Sequence, residues 1–222
     1  MGQEILAVIF DLDGVIISTD EAHYQAWQRL ADELGVAFDR TINEQLRGVS
    51  RMESLEIILR KSSTVYSETQ KRELAARKND YYLQLITRLT PADLLPNVRP
   101  ILNALKGRSV KIAIGSSSKN AQTIMARIGL IGFFDAVVDG NDISQSKPDP
   151  EVFVLAAQRL GIAPDNCLVV EDAEAGVEAG LAAGMHVLAV GSAAHTQRPV
   201  ALRAASLAEL SVADMLFDTR KN

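Results

Sequence analysis

Short apolar runs recur along the chain, and each has the length of a buried β-strand. They cover residues 5–10, 110–114, 136–138, 168–170 and 186–190. Runs this short and this rich in β-branched residues are typical of strands that are buried on both faces of a parallel sheet. The pattern therefore predicts a sheet of five strands.

Segments with helical periodicity separate the later strands. They cover residues 97–107, 119–128, 150–160 and 174–183. Because strands that alternate with helices form parallel sheets with helices on both faces, the pattern predicts a doubly wound, Rossmann-like α/β domain.

The alternation is missing from about 70 residues after the first strand, where only helices are predicted. Four pairs of residues there match a capping box at the start of a helix, namely Ser18/Glu21, Thr41/Glu44, Ser50/Glu53 and Ser67/Gln70. We therefore predict two domains: an α/β core formed by 1–17 and 91–222, and an inserted helical cap formed by 18–90.

Composition and charge exclude several classes of protein. The 222 residues carry a net charge of −5 with a pI near 5.3, so a nucleic-acid or membrane-surface partner is not expected. No apolar run approaches the ~20 residues that span a bilayer, and no stretch resembles a secretory signal. The single Cys167 cannot form an internal disulfide and is expected in the core. We expect a cytoplasmic, monomeric protein.

Polar residues follow four of the predicted strands, at the edge of the sheet where open α/β folds bind ligands. The first cluster contains Asp11, Asp13 and Gly14. Two carboxylates on an extended segment can face the same way, so Asp11 can attack phosphorus while Asp13 transfers the proton. Taken alone, the same residues also suit a simple turn.

The second and third clusters could each bind an anion. Residues 115–120 combine hydroxyl groups with backbone N–H groups at a predicted helix start, although plain helix capping is the better explanation when they are taken alone. Lys147 precedes Pro148, which favours an extended backbone and can direct the ammonium towards a site. We also predict that the Lys147–Pro148 peptide is cis.

The fourth cluster, Glu171 and Asp172, adds two more acids. Helix-dipole stabilisation alone could explain them. If they meet Asp11 and Asp13, however, each pair of carboxylates about 4 Å apart repels by ~4 kcal/mol at an effective dielectric near 20. A hard cation with oxygen ligands removes that repulsion, so the combined clusters predict a Mg²⁺-dependent phosphoryl-transfer enzyme.

In their order along the chain, these clusters resemble the four motifs of the haloacid dehalogenase superfamily. The matching residues are Asp11-Leu12-Asp13-Gly14, Ser116, Lys147 and Glu171-Asp172. The resemblance covers nearly the whole chain, and an aspartate nucleophile implies phosphorus chemistry and not dehalogenation.

The resemblance implies two ligand sets around the nucleophile Asp11 and the general acid/base Asp13. The Mg²⁺ ligands are Asp11, the Asp13 carbonyl, Glu171 and Asp172. The groups that hold the transferring phosphoryl group are Lys147, Ser116 and the Ser117 backbone.

The helical segment is similar to the cap of the phosphoglucomutase branch of this superfamily. The resemblance implies interconversion of β-D-glucose 1-phosphate and D-glucose 6-phosphate, with a glucose 1,6-bisphosphate primer. The residues that it assigns to the second, non-transferring phosphate are Arg51, Ser118, Lys119 and Asn120. Those that it assigns to the sugar side are His23, Trp27, Gly48, Val49, Ser50 and Lys78.

Two other functions stay open. A sugar-phosphate phosphatase would share all four motifs, and Arg51 favours the mutase because guanidinium can bind a second phosphate through two parallel hydrogen bonds. A non-catalytic binding protein would be expected to have lost Asp11 or Asp13, and both are present. For the mutase, we expect the cap to close about hinges at Thr19 and Thr90.

Overall fold

A computed structural model describes residues 4–46 and 49–216. Within these residues, one sheet contains six strands: β1 (Ala7–Phe10), β2 (Lys111–Gly115), β3 (Ala136–Val138), β4 (Cys167–Glu171), β5 (His186–Val190) and β6 (Leu202–Ala204). Their order is β3-β2-β1-β4-β5-β6, and every pair is parallel. The predicted doubly wound α/β architecture is confirmed.

The sheet is covered on both faces, which explains its uninterrupted apolar strands. Five helices follow the strands: α5 (Val98–Lys106), α6 (Ala121–Arg127), α7 (Glu151–Leu160), α8 (Glu174–Ala182) and α9 (Val212–Met215). On β1, Val8 and Phe10 face the layer with α5, α6 and α9, while Ala7 and Ile9 face the layer with α7 and α8. Alternate side chains of a strand point to opposite faces, so both faces need apolar residues.

Between β1 and α5 the described residues form four further helices: α1 (Asp20–Leu34), α2 (Arg40–Glu44), α3 (Arg51–Leu59) and α4 (Glu68–Ile86). We call residues 20–86 the helical insertion. It has its own apolar cluster, which includes Trp27, Leu30 and Leu55. The segments on either side of the insertion meet outside the six-stranded sheet, where Ile17 forms an isolated antiparallel bridge with Leu94.

Two of the four predicted capping boxes are confirmed, at Ser50/Glu53 and Ser67/Gln70. The other two are wrong. Asp39 caps α2, because its carboxylate accepts a hydrogen bond from the Ile42 N–H at 2.8 Å. Thr19 precedes α1, and its hydroxyl bonds to Asp13 instead of capping the helix.

Two further expectations concern the burial of Cys167 and the absence of a membrane-spanning segment. Cys167 is fully buried with a free thiol, as predicted. None of the described helices is both long enough and apolar enough to cross a membrane.

Candidate active site

Three carboxylates and one lysine meet at the carboxyl ends of β1 and β4. The two strands pair with Phe10 opposite Val170, which places Asp11 beside Glu171. Oxygen atoms of Asp11, Glu171 and Asp172 lie within 4.8 Å of one another. The Lys147 Nζ lies 2.5 Å from Asp11 Oδ1 and 2.6 Å from Glu171 Oε1. Residues from three separate parts of the chain therefore form one buried charged cluster.

The charged groups of this cluster have shifted pKa values. Burial raises the pKa of Asp11 to about 7, although Lys147 opposes the shift. Burial alone would lower the pKa of Lys147, but Asp11 and Glu171 outweigh it and raise that pKa. Lys147 thus offsets part of the negative charge of Asp11 and Glu171. Such an oxygen-rich donor set fits a hard divalent cation such as Mg²⁺.

Two glycines allow the backbone to approach these acids closely. A Cβ atom at Gly14, where φ is +89°, would lie 2.1 Å from Asp172 Oδ2. A Cβ atom at Gly176 would lie 1.8 Å from Glu171 Oε1. Gly14 was singled out from the sequence, whereas Gly176 lies inside α8 and has no sequence signal of its own.

The loop that carries Lys147 adopts the predicted cis peptide at Lys147–Pro148. Lys147 is buried, and its Nζ lies 4.7 Å from the centre of the Phe153 ring. The same ring fills the space beside Gly115, where a Cβ atom would lie 2.8 Å from it. The ammonium group is therefore packed in place and directed at Asp11.

Residues 116–120, which we call the phosphate loop, are ordered by short-range hydrogen bonds. The Ser118 N–H donates to Ser116 Oγ at 3.1 Å, and the Asn120 N–H donates to Ser118 Oγ at 3.2 Å. The Ser117 Oγ is buried and has no hydrogen-bond partner among the described residues. The predicted helix start at 119 is wrong, because α6 begins at Ala121. Lys119 and Asn120 therefore belong to the loop.

Asp13 is connected to the helical insertion through two hydroxyl groups. The Tyr82 hydroxyl donates to Thr19 Oγ1 at 3.0 Å, and Thr19 in turn donates through its hydroxyl and its N–H to Asp13 Oδ1. Burial raises the pKa of Asp13 to about 6, against the effect of the Thr19 hydrogen bonds. A carboxyl group with this pKa suits proton transfer near neutral pH.

Above the sheet, the insertion places a buried lysine opposite Asp13. The Lys78 Nζ lies 2.8 Å from His23 Nδ1 and 4.6 Å from the centre of the Trp27 ring. Burial lowers the pKa of Lys78 to about 7, and Arg51 lowers it further. Burial also lowers the pKa of His23 well below its usual value, so its neutral ring can accept the hydrogen bond.

A cavity of about 1110 Å³ separates the insertion from the sheet and joins these groups. The predicted site residues that line it are Asp11, Asp13, His23, Trp27, Val49, Ser50, Arg51, Lys78, Ser116, Ser117, Ser118, Lys119, Asn120, Lys147, Glu171 and Asp172. Gly48 lies outside the described residues. Of the two predicted hinge residues, Thr19 is buried against Asp13, and Thr90 bonds to Asp93.

Sequence reasoning missed Tyr82 and Asn79, which also line the cavity. Both lie on α4, at positions that look like ordinary polar residues of a long helix. Asn79 directly follows Lys78, which the resemblance assigned to the sugar side, but the role of the Asn79 side chain depends on the packing of α4 over the phosphate loop.

Comparisons with known proteins identify the family of this chain. The family model for haloacid dehalogenase-like hydrolases matches residues 5–184. The chain therefore belongs to the haloacid dehalogenase superfamily and is an enzyme of that class. It is 47% identical, over 187 residues and 83% of each chain, to the β-phosphoglucomutase of Bacillus subtilis.

Among solved structures, the chain is similar to the β-phosphoglucomutase of Clostridium difficile. The TM-score is 0.87, with 39% identity and 93% of each chain covered. Phosphatases are also related: the chain is 30% identical to a phosphorylated carbohydrates phosphatase of Thermotoga maritima, covering 81% of this chain and 82% of that one. The same identity relates it to a fructose-1-phosphate phosphatase of Escherichia coli, over 86% of this chain and 98% of that one.

Proposed function

We propose that this enzyme is a Mg²⁺-dependent phosphoglucomutase that interconverts β-D-glucose 1-phosphate and D-glucose 6-phosphate. The observation that carries the proposal is one cavity lined by two sets of groups that could each bind a phosphate. Lys147 contacts Asp11 and lines the cavity with Ser116, whereas Arg51 of the insertion lines it together with Lys119 of the phosphate loop. The similarity to two β-phosphoglucomutases supports this choice of substrate.

In this proposal, Asp11 Oδ attacks the phosphorus atom of the bound bisphosphate, and an aspartyl-phosphate forms as the bond to the sugar oxygen breaks. Asp13 gives its proton to that oxygen. In the next half-reaction, the C6 hydroxyl of an incoming β-glucose 1-phosphate gives its proton to Asp13 and attacks the aspartyl-phosphate, so that the bisphosphate forms again and the Asp11 carboxylate is released. Lys147, Ser116 and the Ser117 N–H hold the transferring phosphoryl group throughout.

Mg²⁺ would be held by the carboxylates of Asp11, Glu171 and Asp172 together with the Asp13 carbonyl. When bound, it would supply positive charge beside the transferring phosphoryl oxygens. The geometry of the site supports this assignment, because oxygen atoms of three buried carboxylates lie within 4.8 Å of one another.

The second phosphate would be bound by groups from both sides of the cavity. These are Arg51 on the insertion and Ser118, Lys119 and Asn120 on the phosphate loop. The sugar would lie against His23, Trp27, Gly48, Val49, Ser50 and Lys78. Because the insertion and the phosphate loop would both bind this phosphate, the bisphosphate could reorient within the cavity so that either of its phosphates reaches Asp11.

We further propose that residues 18–90 act as a cap domain that closes about Thr19 and Thr90. The contact between Thr19 and Asp13 supports this proposal, because it ties the acid/base to the first helix of the insertion. Closure would exclude water from the aspartyl-phosphate and favour attack by the sugar. We propose a monomer without nucleic-acid or membrane partners.

A sugar-phosphate phosphatase is the second candidate, since two relatives of that activity share about 30% of their residues with this chain. A coupled assay separates the two functions. Glucose 6-phosphate and inorganic phosphate are followed from β-glucose 1-phosphate, with and without a glucose 1,6-bisphosphate primer. Primer-dependent formation of glucose 6-phosphate supports the mutase, and phosphate release without it supports the phosphatase.

A further inference from the structure

Two asparagines from opposite sides of the cavity are hydrogen-bonded to each other. Asn79 lies on α4 of the insertion, and Asn120 ends the phosphate loop. The Asn120 Nδ2 donates to Asn79 Oδ1 at 2.9 Å. Both side chains line the cavity. The catalytic scheme above gives Asn79 no role.

The Asn120 side chain projects from a loop that the core holds in place. Its own N–H bonds to Ser118 Oγ, and the Ser118 carbonyl accepts from the Gly140 N–H at 3.2 Å. The Lys119 carbonyl accepts from Asn141 Nδ2 at 3.0 Å. The loop after β3 thus holds the backbone of Ser118 and Lys119, directly before Asn120, so the position of the partner of Asn79 is set by the core.

The same turn of α4 also reaches the acid/base. Tyr82 lies three residues after Asn79, and residues at this spacing share one face of a helix. Its hydroxyl bonds to Thr19, which bonds to Asp13. Any movement of α4 away from the core therefore disturbs both the contact to Asn120 and the chain of hydroxyls to Asp13.

We propose that Asn79 is a positioning residue whose side-chain oxygen latches α4 to Asn120, so that closure over the second phosphate and placement of Asp13 occur together. The inference rests on the mutase function proposed above. Without the latch, the insertion stays open for longer while Asp11 carries the phosphoryl group. Water then competes more successfully with the sugar hydroxyl, and hydrolysis rises relative to transfer.

The test compares Asn79→Ala, Asn120→Ala and the double variant, with Gln84→Ala as the control. Gln84 is an exposed amide on the same helix and lies outside the cavity. Binding of glucose 6-phosphate is followed by the fluorescence of Trp27, which is the single tryptophan of the chain and lines the cavity. The ratio of phosphate release to glucose 6-phosphate formation is measured in the primed assay.

Asn79→Ala should weaken binding about fivefold, the factor expected for one ordinary hydrogen bond, and should raise the share of hydrolysis. The double variant should match Asn120→Ala, because Asn79 acts through Asn120. Gln84→Ala should behave like the wild type in both measurements.

Three results would overturn the latch. Asn79→Ala could bind like Gln84→Ala, the effects of the two single variants could multiply, or glucose 6-phosphate could leave the Trp27 signal of the wild type unchanged. If the proposed mutase function is wrong, the wild type will release phosphate from β-glucose 1-phosphate without forming glucose 6-phosphate. The binding measurements on the single and double variants would still test the latch in that case.

Discussion

At the scale of single residues, we expect Arg51 to be the group that best separates phosphoryl transfer from hydrolysis. It is half-buried at the start of α3, and burial lowers its pKa. A small aryl phosphate carries no second phosphate and therefore does not need this guanidinium.

Replacing Arg51 by alanine should reduce mutase turnover by about 10²-fold, as expected for the loss of a charge-assisted, two-point contact with phosphate. Hydrolysis of an aryl phosphate by the same variant should change far less. Arg51→Lys keeps the charge without the planar fork and should recover only part of the turnover. Equal losses in the two assays would contradict the role given to Arg51.

Lys78 predicts a pH dependence of stability. Its pKa is near 7 in the folded protein and 10.5 in an unperturbed lysine, so the unfolded chain binds more protons between these values. The free energy of unfolding should therefore rise with pH from about 7 towards 10.5. Urea denaturation of Lys78→Met should show a weaker rise over this window.

Lys61→Met is the matched control for that experiment, because Lys61 is an exposed lysine of the same insertion. It should follow the wild-type pH profile. A Lys78→Met profile that parallels the wild type would show that Lys78 does not carry the effect.

At the scale of elements, the turn after β1 requires glycine at position 14. Gly14 has a positive φ, and a Cβ atom added there would lie 2.1 Å from Asp172 Oδ2. Gly35, which ends α1, also has a positive φ of 65°, but an added Cβ there meets nothing within 4 Å.

Gly35→Ala should therefore cost only the ~1–2 kcal/mol of a left-handed alanine. Gly14→Ala should cost more and should abolish activity, because the Asp172 carboxylate must move. Urea denaturation and the primed assay measure the two effects. Equal destabilisation by both substitutions would argue against a close packing of the turn on Asp172.

Most strands were predictable because nearly all of their residues are apolar. Strands β1, β2, β4 and β5 are apolar throughout or nearly so, since two layers cover them. Strand β6 was missed because it is three residues long, lies at the edge of the sheet and contains an exposed Arg203. Helix α9, with four residues, is too short to show a period.

The site was predictable to a similar extent, for a related reason. Asp11, Lys147 and Glu171 follow strands, and the topology brings strand ends together. The pair formed by Asn79 and Asn120 depends on how a helix lies over a loop that is 41 residues away, and local sequence carries no information on that angle.

At the scale of the whole molecule, Mg²⁺ should stabilise the fold by relieving the repulsion among Asp11, Glu171 and Asp172. Saturating Mg²⁺ at about 100 times its Kd adds ~2.7 kcal/mol if only the folded state binds it. For a chain of this length, that corresponds to a rise in Tm of roughly 5–10 °C. Calorimetry with Mg²⁺ or with a chelator measures the shift, and the chelator should also remove activity.

Asp172→Asn should lose most of this Mg²⁺-dependent shift. Asp165→Asn is the control, because Asp165 is an exposed acid just before β4. If the Tm of the wild type is the same with and without Mg²⁺, the carboxylate cluster does not bind this cation as proposed.

The bridge between Ile17 and Leu94 gives the molecule a modular design. All four helices of the insertion lie between these two residues, whereas the register of β1 with β2 and β4 is formed by residues outside that segment. A different insertion at this position would therefore change the residues above the cavity, and the sheet would still bring Asp11 and Glu171 together.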